Sequence, residues 1–469
     1  MRQIRVFVGI FCRSGEPVLY IQGMLGKYGR DYIETLRVGL PIVLGQLGII
    51  ILGFADNIMV GRYGTEELAA ASFVNAVFNI PIFFGLGFSY GLTPLVGEAY
   101  GRGDKEKAGR WLKEGVVCNG IIGILMSLAM WAVYMNVERM GQPRELLPLI
   151  RPYFLLQLAS LFFIMIFNGF KQFFDGITDT LIPMWIMFFA NTLNIAGNYL
   201  LIYGKWGFPE WGLVGAGIST LFSRILMPVL IALVFFRNLR RRPFKKGFIN
   251  SACTGKDLKR LFTMGGMIGF QMGMETVLFS LTAVMVGWLG TVELAAHQIG
   301  ITLSTLGYMV YYGVGAALSV RMSNACGSED WGRVRRASVA GFHIILVLAL
   351  VISCIFGFSR SFIGGIFTSE QAVIRQVSVL IFILILYQFG DGLQIAYANS
   401  LRGVSDVKPL AVLSFIGYFV IALPVSYLLG FVFDMGIVGI WTGYPVGLTL
   451  TGLMLYIRYR YLIRKLSVS

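Results

Sequence analysis

Stretches of apolar residues, each about 17–25 long and so able to cross a bilayer as one helix, alternate with short polar connectors along this chain. Six lie near 36–60, 70–96, 115–135, 149–170, 181–203 and 212–236, and six more near 259–289, 294–320, 338–358, 373–397, 409–431 and 436–457. The pattern predicts an all-α membrane protein of twelve transmembrane helices. The connectors predict its orientation. Arg102, Lys105, Lys107, Arg110 and Lys113 follow the second stretch, a basic run from Arg237 to Lys256 follows the sixth, and Arg321, Arg333, Arg335 and Arg336 follow the eighth. The connectors after the seventh and eleventh stretches hold no Lys or Arg, while Arg30 and Arg37 lie at one end and Arg458, Arg460, Arg464 and Lys465 at the other. Both termini and the even-numbered connectors are therefore expected in the cytoplasm.

The two sets of six stretches are related. Met59-Val-Gly, Gly64-Thr65 and Glu67-Leu-Ala-Ala70 recur as Met285-Val-Gly, Gly290-Thr291 and Glu293-Leu-Ala-Ala296, an offset of 226 residues. The register holds from Gly87 and Gly313 to Asp104 and Asp330, and further matches join Gly176 and Asp179 to Gly403 and Asp406, and Gly212 and Gly215 to Gly436 and Gly439. Six-helix units that begin on the same side are parallel repeats about an axis along the membrane normal, with a cleft and a midplane site between them. The expected organisation is an N-terminal extension over 1–29, a six-helix lobe over 30–240, a cytoplasmic basic linker over 241–257, and a second pseudo-symmetric lobe over 258–469.

Composition agrees and narrows the function. Of 469 residues 56% are hydrophobic and 13% charged, and the mean hydropathy is +0.73; lipid must solvate much of this surface. The net charge of +15 would suggest nucleic acid in a soluble protein, but these cations sit in membrane connectors, so no nucleic-acid partner is expected. Cys12, Cys118, Cys253, Cys326 and Cys354 are scattered, and the two histidines are His297 and His343, so neither a disulfide framework nor a zinc site is implied. The stretch from Met1 to about Leu25 is a poor signal peptide, with no small-residue cleavage site after Val6–Cys12, and Met24 is an alternative start. Gly87-Phe-Ser89-Tyr-Gly91 matches a nucleophile elbow, but inside an apolar helical stretch it reads as small residues for helix packing. No enzyme is expected.

The informative residues are acids within apolar stretches: Asp56, Glu275 and Asp391. None has a base one turn away on its own helix. An acid at a helix centre costs roughly 2.5–3.5 kcal/mol on insertion scales and therefore faces a cavity, a partner or a proton. Such a group can take up a proton or cation and release it when water enters. Asn194 and Asn198 stand four apart on one helix face. Rings such as Tyr308, Tyr311 and Tyr312 suit organic cations.

At these residues the sequence resembles the multidrug and toxic compound extrusion family, in particular its NorM-like bacterial branch. The likeness runs from about residue 30 to the C-terminus. It is carried by Leu40-Pro41, Gly53-Phe-Ala-Asp56, Glu67-Leu-Ala-Ala70, Asn194 with Asn198, Pro209-Glu-Trp-Gly212, Ala296-His-Gln298-Ile299 and Gln388-x-x-Asp391-Gly-x-Gln394. The resemblance implies two six-helix lobes about a central cleft, and exchange of organic, mostly cationic compounds for sodium ions or protons, without a cofactor. It implies that Asp56, Asn194 and Asn198 form the cation or proton site of the first lobe. It also implies that Glu275 and Asp391 are the coupling pair of the second, a possible sodium site. Gln298, Gln46 and Tyr308 are expected at the substrate cleft. Some proton-coupled relatives carry an acid where this chain has Asn198. A monomer in the bacterial inner membrane is expected. The rival readings are a lipid-linked precursor flippase, which needs a basic cavity where these stretches hold few interior Lys or Arg, and a membrane channel.

Overall fold

The computed structural model describes residues 15–466, with side chains from Tyr28 onward except at Arg240; the segment Val6–Cys12 lies outside the described residues. Twelve described helices are long and apolar enough to cross a membrane. They are α1 (Tyr28–Tyr63), α2 (Thr65–Gly101), α3 (Lys105–Met135), α4 (Arg144–Gly176), α5 (Leu181–Ile202) and α6 (Gly212–Arg237), followed by α7 (Gly255–Gly287), α8 (Thr291–Gly327), α9 (Trp331–Ser359), α10 (Gln371–Gly403), α11 (Val407–Val432) and α12 (Gly436–Leu466). Every predicted stretch is a helix, and most helices run past their apolar stretch. The basic residues Lys105, Lys107, Arg110 and Lys113, expected in a connector, form the first turns of α3 instead. Asp104 explains why: its Oδ1 accepts the backbone N–H of Lys107 at 2.9 Å and starts the helix early. Asp330, its repeat mate, caps α9 in the same way through Arg333 N at 2.8 Å. The segment expected as a basic linker also carries a short helix, Arg242–Asn250.

The repeated glycines mark the closest approaches. A methyl group built on Gly101 would lie 2.0 Å from Asn324 O, and one on Gly327 would lie 2.1 Å from Glu98 O, so the ends of α2 and α8 cross with backbone against backbone. Gly176 packs on α2 at Val96 and Thr93, and Gly403 packs on α8 at Met322 and Ser319, the corresponding positions. Gly212 and Gly436 start α6 and α12 at φ 52° and 56°, a region that favours glycine.

Between the lobes, α1 packs on α8 and α2 packs on α7, two contacts that the repeat makes equivalent. Toward the basic end, α2 and α7 come closest at glycines. A methyl on Gly87 would meet Gly269 Cα at 2.7 Å, and one on Gly91 would meet Gly265 N at 2.6 Å. Ser89 between them donates to Asn119 Oδ1 at 2.6 Å and to Gly85 O at 2.9 Å, as a packing residue and not a nucleophile.

Ion pairs stitch the same end. Arg321 of α8 reaches Asp31 at 2.7 Å and Glu34 at 2.8 Å on α1, and Arg336 of α9 lies 3.7 Å from Asp31. In the other half Arg110 of α3 reaches Asp257 of α7 at 2.6 Å. Asp31 and Asp257 are repeat mates, as are Arg336 and Arg110, so each lobe's first helix is tied to the third helix of the other.

These pairs differ in burial, and so in consequence. Arg321 and Asp31 are buried, and removing the guanidinium strands a buried carboxylate at a cost of about 3–5 kcal/mol. Arg110 and Asp257 are each about a third exposed, where a pair contributes about 0–1 kcal/mol. Thermal unfolding in detergent should therefore show a large fall in midpoint for Arg321→Met and little change for Asp257→Asn, which leaves the pairing of Arg110 with the buried Glu114 in place.

Candidate functional site

A cleft of about 410 Å³ lies between the lobes, walled by α2, α7, α8 and α10. From α2 come Asn79, Ile80 and Phe83, from α7 Met272, Glu275 and Phe279, from α8 His297, Gln298, Tyr308 and Met309, and from α10 Tyr387. All the α2 residues precede Gly87 and all the α7 residues follow Gly269. The cleft therefore stands on the side of the glycine contact away from the basic end, and that contact closes its floor. Its lining is mostly apolar and aromatic, with one acid, Glu275, and no Lys or Arg.

Glu275 opens the second-lobe network. Its Oε2 accepts from Tyr418 Oη at 3.4 Å and from Gln271 Nε2 at 3.4 Å. Tyr418 Oη in turn accepts from Gln394 Nε2 at 2.5 Å. Asp391 stands three residues before Gln394 on α10, on the same face. It is fully buried, and neither carboxyl oxygen has a hydrogen-bond partner among the described residues. A buried carboxylate without donor or cation is costly in its charged form. Tyr311 Oη donates to Gln388 Oε1 at 2.7 Å, fixing the turn of α10 before Asp391.

The first-lobe residues also meet, in a separate cluster. Asn198 Nδ2 donates to Asp56 Oδ1 at 2.6 Å. Asn194 has its amide 3.0 Å from Asp56 Oδ1 and 3.2 Å from Thr220 Oγ1, and the orientation that donates to Asp56 satisfies both ends of the amide. Spacing by four put both amides on one face of α5, and that face is turned toward α1 and α6.

Of the residues expected at the cleft, Gln298 and Tyr308 line it and Gln46 does not; Gln46 is buried on α1. His297, beside Gln298, accepts from Trp441 Nε1 at 3.1 Å, which holds its ring at the wall. Tyr418, Arg402 and Arg224 were not foreseen. Tyr418 lies on the π-helical turn Ile416–Ala422 of α11, just before Pro424, whose missing N–H disrupts the ordinary ladder; that proline was the available signal. Arg224 sits within α6 and donates to Ser160 Oγ at 2.6 Å and Gln157 Oε1 at 2.9 Å. The expectation of few interior cations needs correction, since Lys171 and Arg402 are buried as well. A cation inside a helix bundle is tolerable when it is bonded there, Arg224 and Arg402 by neighbouring helices and Lys171 by Asp175 of its own helix. None of these cations lines the cleft, so the basic cavity required for an anionic lipid carrier is not formed there.

Among the described residues no three His, Cys, Asp or Glu side chains gather as a metal-binding group.

Comparison with known proteins gives matches over most of the chain. The MatE family model matches twice, at residues 41–200 and 268–428, one copy in each half. The probable multidrug resistance protein NorM of Bradyrhizobium diazoefficiens is 31% identical, over 93% of this chain and 94% of its own length. The multidrug resistance protein NorM of Photobacterium profundum is 29% identical, over 93% of this chain and 96% of its own. Among solved structures, the Vibrio cholerae MATE transporter VcmN in its bent form superposes with a TM-score of 0.84 at 18% identity, over 94% of this chain and 99% of that one.

The first-lobe bond has a measurable weight. Asn198→Leu removes a donor from a half-buried carboxylate and should cost about 1–3 kcal/mol. Adding Asp56→Leu removes the stranded acceptor as well and should recover much of that loss. A double-mutant cycle on thermal unfolding in detergent reads the coupling.

Proposed function

The chain belongs to the MatE family of multidrug transporters, and we propose that it is a cation-coupled antiporter that exports organic, mostly cationic compounds in exchange for sodium ions or protons. The observation that carries this reading is Asp391, a carboxyl buried without a donor on the helix whose Gln394 bonds Tyr418, the partner of Glu275 on the cleft wall. An organic cation in the cleft meets apolar and aromatic walls with one carboxylate, which suits charge attraction and contact with ring faces. The names of the NorM relatives fit the same class of cargo.

The basic end is the cytoplasmic end by the positive-inside tendency, with both termini on that side and the bacterial inner membrane as the site of action. The cleft then opens outward. In this outward-facing form a proton or sodium ion reaches Glu275 and Asp391 from outside and cancels the charge that held the organic cation. The cargo leaves, and the ion-loaded protein returns inward. A ligand moves such an equilibrium only through its different affinity for the two states. Inward movement of each coupling charge is assisted by about 2.3 kcal/mol per 100 mV of membrane potential. The two lobes and the site between them lie within one chain, so a monomer suffices.

Ethidium efflux, measured as uptake into inverted vesicles and driven first by a sodium gradient alone and then by a proton gradient alone, identifies the coupling ion. Glu275→Gln and Asp391→Asn should each abolish the driven component while the protein remains monodisperse and thermally stable. Full driven efflux in both variants rejects the roles given to these carboxyls.

A further inference from the structure

Below the cleft floor, a buried chain of four charges runs from Glu275 into the closed seam between the lobes. Arg402 Nη2 donates to Gln271 Oε1 at 2.5 Å, and Gln271 Nε2 donates to Glu275 Oε2 at 3.4 Å. On its other side Arg402 lines a chamber of about 20 Å³, room for roughly one water. Gln172 and Asp175 of the first lobe form the opposite wall. Asp175 is paired with Lys171 at 2.8 Å. Lys171, Asp175 and Arg402 are all buried. Two donors on the chamber wall, Gln172 Nε2 and Arg402 Nε, have no hydrogen-bond partner among the described residues. The repeat sharpens the picture. Asp175 directly precedes Gly176, and Arg402 directly precedes Gly403, so corresponding positions of the two lobes carry opposite charges at one seam.

We propose that Arg402 is the positioning residue that carries the occupancy of the Glu275 site to the seam at the basic end. Lys171, Asp175, Arg402 and Glu275 sum to zero charge while Glu275 is free. Asp391 is bonded to none of them. A cation or proton held by Glu275 cancels its charge, and the chain is left with one positive charge in excess between the lobes. A buried charge without a counter-charge is costly, and water relieves the cost. The nearest opening for water is the chamber beside Arg402, which joins the basic side when the lobes part. Ion occupancy in the cleft thus favours opening of the opposite side, the order that exchange requires. Without the ion the chain is balanced and the seam stays shut. This inference rests on Glu275 as the coupling site, and its test needs no transport.

Ser319 lines the chamber and is 5% exposed. In a background with the native cysteines replaced, Ser319→Cys in nanodiscs is treated with a charged methanethiosulfonate reagent, and the labelling rate reports opening of the seam. Glu275→Gln, which removes the same charge, should raise that rate about tenfold, a shift of about 1.4 kcal/mol in the opening equilibrium. Adding Arg402→Gln, or separately Lys171→Gln, returns the four-residue sum to zero and should bring the rate back toward the parent. Arg402→Lys keeps the charge and should leave the rate high. A rate unmoved by Glu275→Gln overturns the inference, as does a rise that survives both neutralising additions. If Arg402→Gln is not monodisperse, the Lys171→Gln pair decides alone. Absence of ion-driven ethidium efflux by the parent protein instead rejects the proposed antiport, whatever the labelling gives.

Discussion

The approach of α2 to α7 at Gly87 and Gly269, and again at Gly91 and Gly265, is the constraint on which the rest of the architecture depends. In lipid the apolar effect gives little reason for one helix to prefer another helix to an acyl chain, so association relies on close packing and interhelical polar bonds. Four glycines let two backbones meet where any side chain would hold them apart. The contact seals the space between the lobes at one level, leaves a cleft above it and brings the polar chamber together below it. Its repeat-related counterpart, α1 on α8, is made by Gly313 against Val43 and Gly39 against Ala317. The same geometry is therefore reached with glycine on only one helix at each contact.

The two halves share a frame and differ in chemistry. Caps, glycines and connector turns are duplicated closely: Thr178 and Ser405 take φ 65° and 62° at matching turns, before Asp179 and Asp406, which pair with Arg241 and Arg458 at 2.7 Å each. The interior polar residues are not duplicated. The first lobe sets Asp56 against two amides, with Arg224 nearby on α6, and pairs Asp175 with Lys171 nearer the basic end. The second sets Glu275 and Asp391 among glutamines and Tyr418, with Arg402 behind them. Geometry repeats because backbone packing demands the same small residues in both halves. Charge need not repeat, since each interior ion must be balanced only once within the low-dielectric volume it occupies.

Burial divides the carboxyls by the company they keep. Asp56 and Glu275 accept hydrogen bonds from side chains of other helices, while Asp391, more deeply placed, accepts none. The cleft exposes only Glu275 of the three. An ion or cargo molecule entering from the open side therefore meets Glu275 first.

The sequence by itself determined the twelve helices, the repeat and the residue types that could carry chemistry, because each depends on local information: the length of an apolar run, a fixed offset, an acid where lipid-facing residues surround it. Even the pairing of Asn194 with Asn198 was legible, since helical spacing alone puts them on one face. Where they point was not. The hydrogen bond from Asn198 to Asp56 spans 142 residues, that from Arg402 to Gln271 spans 131, and that from Tyr418 to Glu275 spans 143. Such contacts are decided by which helices approach and at what rotation, and no apolar period encodes that. Gln46, polar and well placed along α1, stays outside the cleft for the same reason. Tertiary structure alone decided which carboxyl lost its donors, which cations entered the interior and which end of the cleft was closed, because each follows from backbones meeting at glycine between distant segments.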